Sequence, residues 1–304
     1  MLTPRLLRLL TLDSQDHPRG QGHLSSASGL VRAADHLYIV ADDEIHLACL
    51  DARDPGASEI HLVRIGQDRL PGDKVARKAA KPDTELLVHL PGDAAGERDR
   101  LVLFGSGSRP TRERAFVLAL QPDGALADMA REVSLEKLYE PLRARFGELN
   151  LEAGYVADGR LHLFQRAHGS QPLNGHVTYD ARMFGAWLDE PTTNPPVPLS
   201  VEPLDLGAVS GVPLGITDAA SRPGGGFIFT AVAEDTNDAY NDGACVGSVV
   251  GWCDDAGRVH ACEQLAGAPK VEGIAYASAD RLWLVTDADD PARPSELLEL
   301  QWTP

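Results

Sequence analysis

The segment KVEGIAYASADRLWLVTDADD, residues 270–290, sets one glutamate, Glu272, at the head of two apolar runs separated by a polar turn. A carboxylate opening a segment that otherwise reads as buried strand is costly to bury alone. The chain repeats the arrangement. Glu152 heads NLEAGYVADGRLHLFQRAH and Ser28 heads SGLVRAADHLYIVADD. Aligned in this way, five units open at Ser28, Glu85, Glu152, Asp218 and Glu272, spaced by 57, 67, 66 and 54 residues. Each unit reads as strand, tight turn and second strand, with Asp158-Gly159 the clearest hairpin signal. Repeats of this length, each a small sheet, are the pattern of propeller blades with long loops.

Further strands follow the hairpins. They are EIHLACLD and EIHLVRI in the first unit, AFVLAL in the second, and VGSVVGW and RVHACEQL in the fourth, so a unit reaches four strands. The last unit ends one strand short at SELLELQW, whereas RLLRLLTL near the N-terminus has no unit of its own. The N-terminal strand is therefore expected to complete the last blade, closing the ring and removing two sheet edges. The reading is a single domain over residues 1–304: an all-β, five-bladed propeller closed by the N-terminal strand. One inserted helix is expected in SLEKLYEPLRARFG, with Ser134 as N-cap, Leu138, Tyr139 and Leu142 at helical spacing, and Pro141 shortening or kinking it.

Composition narrows the function. A net charge of −17 argues against nucleic-acid binding, which depends on a basic face that displaces counterions. No apolar run approaches the ~20 residues of a membrane helix, and MLTPRLLRLLTLDSQ lacks the continuous core and cleavage site of a signal peptide, so a cytoplasmic location is expected and a monomer is favoured. Cys49, Cys245, Cys253 and Cys262 show no metal or redox spacing and are read as small core residues.

The first strand of each propeller blade lines the central channel, so Ser28, Glu85, Glu152, Asp218 and Glu272 are expected to converge on one axis. Carboxylates gathered there require a cation or counter-charges. An all-oxygen set suits Ca²⁺ better than Zn²⁺. Alternatively the acids face channel water or pair with Lys81, Arg109 and Arg166. In the fourth unit GITDAA leaves Thr217 or Asp218 as the channel residue.

This ring, one residue per blade, resembles the central calcium site of the soluble calcium-activated nucleotidases, the five-bladed apyrase family. The EGIA-type openings are also similar to those of bacterial propellers of the phytase-like and SdiA-regulated groups. The resemblance implies a calcium role for Ser28, Glu85, Glu152 and Glu272, with the fourth blade departing from a serine. No stretch matches the nucleotidase catalytic motifs.

Loops at the ends of second strands share a face with the channel mouth. GSGSRPTRER offers Ser106, Ser108 and Arg109, and FQRAHGSQPLNGH offers Arg166 and His168. With Lys81 these form a candidate pocket for a small anion, and His168 a candidate acid or base. Four of the five lysines, Lys74, Lys78, Lys81 and Lys270, fall just before segments assigned to this mouth. The acidic loops AEDTNDAYNDG and TDADDP add Glu234, Asp235, Asp287 and Asp289 as candidate bases or metal ligands. Two functions fit: a calcium-dependent hydrolase of a small phosphorylated or carboxylated molecule (phosphoester, phosphoanhydride or lactone), or a non-catalytic ligand- or protein-binding propeller with structural calcium.

Overall fold

The computed structural model describes residues 1–67, 69–92, 97–168, 171–235 and 244–303. Five antiparallel sheets follow one another along the chain. Their innermost strands are Ala27–Ala33, Thr84–Leu90, Leu151–Ala157, Val212–Ser221 and Val271–Ser278. These strands contact one another in a closed cycle, first to second through fifth to first, which makes the fold a five-bladed propeller. Five apolar clusters each fill the space between two neighbouring blades. Leu30, Ile39, Trp283 and Val285 join blades 1 and 5, for example, and Phe164, Ile216 and Phe229 join blades 3 and 4.

The ring closes as the sequence suggests. Arg5–Leu9 pairs antiparallel with Glu296–Gln301 and becomes the outermost strand of blade 5. Asp158 and Gly159 form a two-residue hairpin between Ala157 and Arg160, both with positive φ (49° and 72°), as a type I′ turn demands. Blade 4 carries a fifth, two-residue strand, Ala208–Val209, beside its inner strand.

Among the described residues three short α-helices occur where one was expected: Lys74–Ala80, Glu136–Phe146 and Ala181–Asp189. The expected helix begins at Glu136, because Ser134 is still the last residue of a strand. It runs through Pro141 and buries Leu138, Tyr139 and Leu142 between blades 2 and 3, where the Tyr139 hydroxyl donates to the Gly105 carbonyl at 2.8 Å. The other two are each capped by an aspartate, Asp73 accepting from the Ala76 amide and Asp180 from the Met183 amide, both at 2.9 Å. All four cysteines are free. Only Cys253 is buried, and Cys262 is exposed. No helix among the described residues is long and apolar enough to cross a membrane.

Candidate metal centre at the channel mouth

Every inner strand carries a bulge toward the same end of the channel, at the second residue in blades 1, 2, 3 and 5 and in mid-strand in blade 4, whose strand is extended. The pairing register skips Ser28 between Ala27 and Gly29, Glu85 between Thr84 and Leu86, Glu152 between Leu151 and Ala153, Thr217 between Ile216 and Asp218, and Glu272 between Val271 and Gly273. A bulge leaves its residue without a cross-strand partner and re-aims its side chain. Five bulges at equivalent places in a closed cycle of inner strands form a ring. Glycine follows two of them because the inner strands approach closely there. A Cβ on Gly273 would lie 2.5 Å from Val285 Cγ2 and 3.2 Å from the Leu30 amide nitrogen.

The fourth member of the ring is Thr217, not Asp218. Thr217 donates its hydroxyl to the Val271 carbonyl at 2.8 Å and lies 2.9 Å from Thr230 Oγ1. Asp218 is in register opposite Thr230, and its carboxylate accepts backbone N–H groups: Ala219 at 2.8 Å, Ile274 of blade 5 at 2.8 Å, and Leu30 of blade 1. It is an interblade tie with both oxygens occupied. The sequence, aligned at Asp218, left Thr217 and Asp218 both open because one bulged residue shifts the register by one.

The cations at the mouth are engaged by carboxylates. Lys81 Nζ contacts Asp42 Oδ2, Asp83 Oδ1 at 3.0 Å and Asp43 Oδ1 at 3.3 Å. Arg166 reaches Glu234 at 3.1 Å and Glu152 at 3.5 Å. Lys270 bridges Asp289 at 2.6 Å, Glu234 at 3.1 Å and Glu272 at 3.4 Å. Ser106 donates to Asp83 Oδ2 at 2.6 Å, and Ser108 accepts from Arg112 at 2.8 Å, so both serines buttress Asp83 and its arginine. Arg109 is exposed and precedes the short helical turn Pro110–Arg112. Of the cations expected to receive an anion, Lys81 and Arg166 are thus engaged as counter-charges to the acids.

Counting decides the sign of the site. Among the described residues the connected set holds nine carboxylates (Asp42, Asp43, Asp83, Glu85, Glu152, Glu234, Glu272, Asp287, Asp289) against five cations (Arg77, Lys81, Arg112, Arg166, Lys270). Full ionisation would leave four negative charges uncompensated. Burial, reinforced by neighbouring acids, accordingly pushes carboxyls toward protonation: Asp42 to about 6, Glu272 to about 7, Glu152 to about 8, and Glu85 and Asp287 well above the usual carboxylate range. Asp42, Asp83 and Glu85 bring their oxygens within 4.8 Å of one another. Asp42 and Asp83 were not singled out from the sequence, although Asp42 ends a second strand just as Glu234 and Asp287 do. Glu234 sits high on the mouth because blade 4's inner hairpin extends past the bulge to the Leu214–Ala233 pair. His168 lies beyond the second strand of blade 3, its Nδ1 3.9 Å from Glu148. The Asp235 side chain and the rest of the loop, 236–243, lie outside the described residues.

These shifts carry a pH dependence for chelator-treated protein. A carboxyl whose folded pKa exceeds its unfolded value binds more protons when folded, so stability falls as pH rises through the folded pKa. His46, His162 and His176, lowered to about 4 by burial, act oppositely but have finished by about pH 6.5. Stability is therefore expected to decline between pH 6.5 and 8.5, by about 1.4 kcal/mol per pH unit for each net proton released. Urea titrations across that range measure it. A flat profile would contradict the burial assigned to Glu152 and Glu272.

A family model described as "Family of unknown function (DUF6929)" matches residues 23–302. No curated protein sequence matches the chain. Among solved structures, the chain is similar to a glutaminyl cyclase from Myxococcus xanthus, at 11% identity over 98% of this chain and 97% of that one, with a TM-score of 0.50. It is similar to a GH43 β-1,3-galactosidase at 9% identity over 98% of this chain and 60% of that one, also at 0.50. A gluconolactonase from Xanthomonas campestris matches at 11% identity over 88% and 70%, with a TM-score of 0.40. At these identities the likeness is one of fold.

Proposed function

We propose, from the premise that the chain belongs to the DUF6929 family, a family of unknown function, that it is a calcium-dependent hydrolase of a small anionic substrate. The calcium is assigned to the axis, among Ser28, Glu85, Glu152, Thr217 and Glu272. The observation that carries the reading is the bulge repeated at these five residues. The donor chemistry suits the ion, and among the described residues Asp42, Asp83 and Glu85 are the carboxylates that already bring one oxygen each within 4.8 Å of one another. The donors are oxygens only, and calcium takes about 6–8 of them in flexible geometry. Among the described residues three buried carboxylate oxygens, Asp42 Oδ1, Glu234 Oε1 and Glu272 Oε1, lack a hydrogen bond of good geometry, the last two facing the Lys270 ammonium at 3.1 and 3.4 Å. A dication also offsets part of the fourfold charge excess.

When bound, calcium supplies a Lewis acid that polarises a coordinated oxygen. The chain's own groups supply the rest. Asn150 donates to Glu152 at 2.6 Å and Arg166 stands beside it, which fixes the orientation of that carboxylate. Asp42, whose other oxygen Lys81 holds, is the candidate base for an attacking water. Without the ion the acidic mouth repels an anionic substrate, so binding as well as turnover depends on calcium.

The test is hydrolysis of phosphomonoester, nucleotide and lactone substrates with excess calcium and with chelator. Expected is turnover of at least one class that chelation abolishes and that Asp42→Asn lowers by about 10²-fold or more. Calcium-loaded protein inert toward all three would instead favour a non-catalytic propeller.

A further inference from the structure

We propose that the face opposite the mouth carries a second, independent site, for a phosphorylated small organic molecule, at the seam between blades 5 and 1. A cleft of about 510 Å³ lies there, with four arginines, Arg5, Arg32, Arg53 and Arg281, against two carboxylates, Asp54 and Glu299. The lining is thus rich in arginine in a chain whose 45 acidic residues outnumber 28 basic ones, with Asp51 and Asp35 standing behind Arg53 at 2.6 and 3.9 Å. Topology fixes the place. Arg32 is near the far end of blade 1's inner strand, Arg281 opens the second strand of blade 5, and Arg53 follows the third strand of blade 1, all remote from the end where the bulges lie.

The arginines are held in place. Arg32 donates to the carbonyls of Ala277 at 2.7 Å and Ala34 at 3.0 Å, with its guanidinium 5.5 Å from the centre of the Trp283 ring. Glu299 is gripped from two sides, by Arg5 at 2.8 Å and Arg281 at 3.5 Å. Asp51 fixes Arg53 at 2.6 Å. Each guanidinium carries five N–H groups in a planar fork, and these contacts engage only some of them. Pre-positioned forks with donors to spare suit a phosphate, whose oxygens accept several at once. The cleft lies within the roughly 300–1,000 Å³ of small-molecule sites, larger than phosphate alone requires, and Leu7, Pro55 and Ala277 give it apolar wall for an organic body. Because Arg5 and Leu7 belong to the closing strand, an occupant also ties that strand down.

The experiment is calorimetry and thermal melting of the full chain with ribose 5-phosphate, AMP, inorganic phosphate and ribose, at low and physiological salt. Expected is binding of at least one organic phosphate more tightly than inorganic phosphate, none of ribose, and a raised melting temperature. Arg53→Gln and Arg281→Gln, both at exposed side chains, are each expected to weaken binding about tenfold or more. Glu85→Gln at the mouth leaves it unchanged. The proposal is overturned by silence of both organic phosphates up to about 10 mM, by inorganic phosphate binding as tightly as both, by undiminished binding in both arginine variants, or by loss of binding in Glu85→Gln.

Discussion

Deleting residues 1–12 is expected to abolish cooperative melting of the whole propeller. The deletion removes the strand paired with Glu296–Gln301 and the bridges that join Leu2 to blade 4, where its amide donates to the Gln264 carbonyl and its carbonyl accepts from Ala266. It also removes Leu10, fully buried between blades 5 and 1, whose backbone links Ser295 to Leu24. Truncating one such leucine costs about 2–5 kcal/mol. Losing the strand hydrogen bonds and the packing of Leu7 and Leu12 as well brings the total near the ~5–15 kcal/mol that holds a typical fold. The newly exposed edge of Glu296–Gln301 is a template for aggregation. Circular dichroism melts and size-exclusion profiles of the truncated chain measure the effect; an unchanged transition would show that the strand closes nothing.

The second large effect is at Asp218. One carboxylate from blade 4 accepts amides from blade 5 and blade 1, so it fastens three inner strands around the axis. Asp218→Ala would leave three buried N–H groups unpaired at ~1–3 kcal/mol each, and with partial relaxation the expected loss is about 3–5 kcal/mol. The distinguishing feature is insensitivity to metal. The loss should be equal with calcium and with chelator, because both oxygens serve the backbone. Were Asp218 an axial ligand, the variant would lose calcium and show little change in chelator. Urea unfolding in both buffers separates these outcomes.

Why the sequence left Thr217 and Asp218 both open in the fourth blade is a matter of register. Blade openings, the hairpin at Asp158-Gly159 and the closing strand follow from hydrophobic runs and turn chemistry, which are local. A bulge is set by how two strands pair, and it decides between adjacent residues that composition cannot separate. The helices Lys74–Ala80 and Ala181–Asp189 are seven and nine residues long, too short for a periodic pattern to stand out, and their caps Asp73 and Asp180 were not singled out. At the mouth, the sequence left Lys81 and Arg166 open as anion ligands or as counter-charges. Only the folded ring brings Asp42, Asp43 and Asp83 onto the first and Glu152 and Glu234 onto the second. The opposite face was invisible for the same reason, since Arg5, Arg53 and Arg281 come from three distant segments joined by ring closure.

The central claim is that the bulged ring holds calcium, and metal content tests it most directly. Elemental analysis of protein purified without chelator, paired with calcium calorimetry on the stripped protein, should give one equivalent per chain. Glu152→Gln, which keeps the shape and the Asn150 contact but removes a charge, should weaken binding about tenfold or more. Protein that carries no calcium as purified and takes up none at millimolar concentration would contradict the account, leaving the ring as a set of buried acids balanced by Lys81, Arg166 and Lys270 alone.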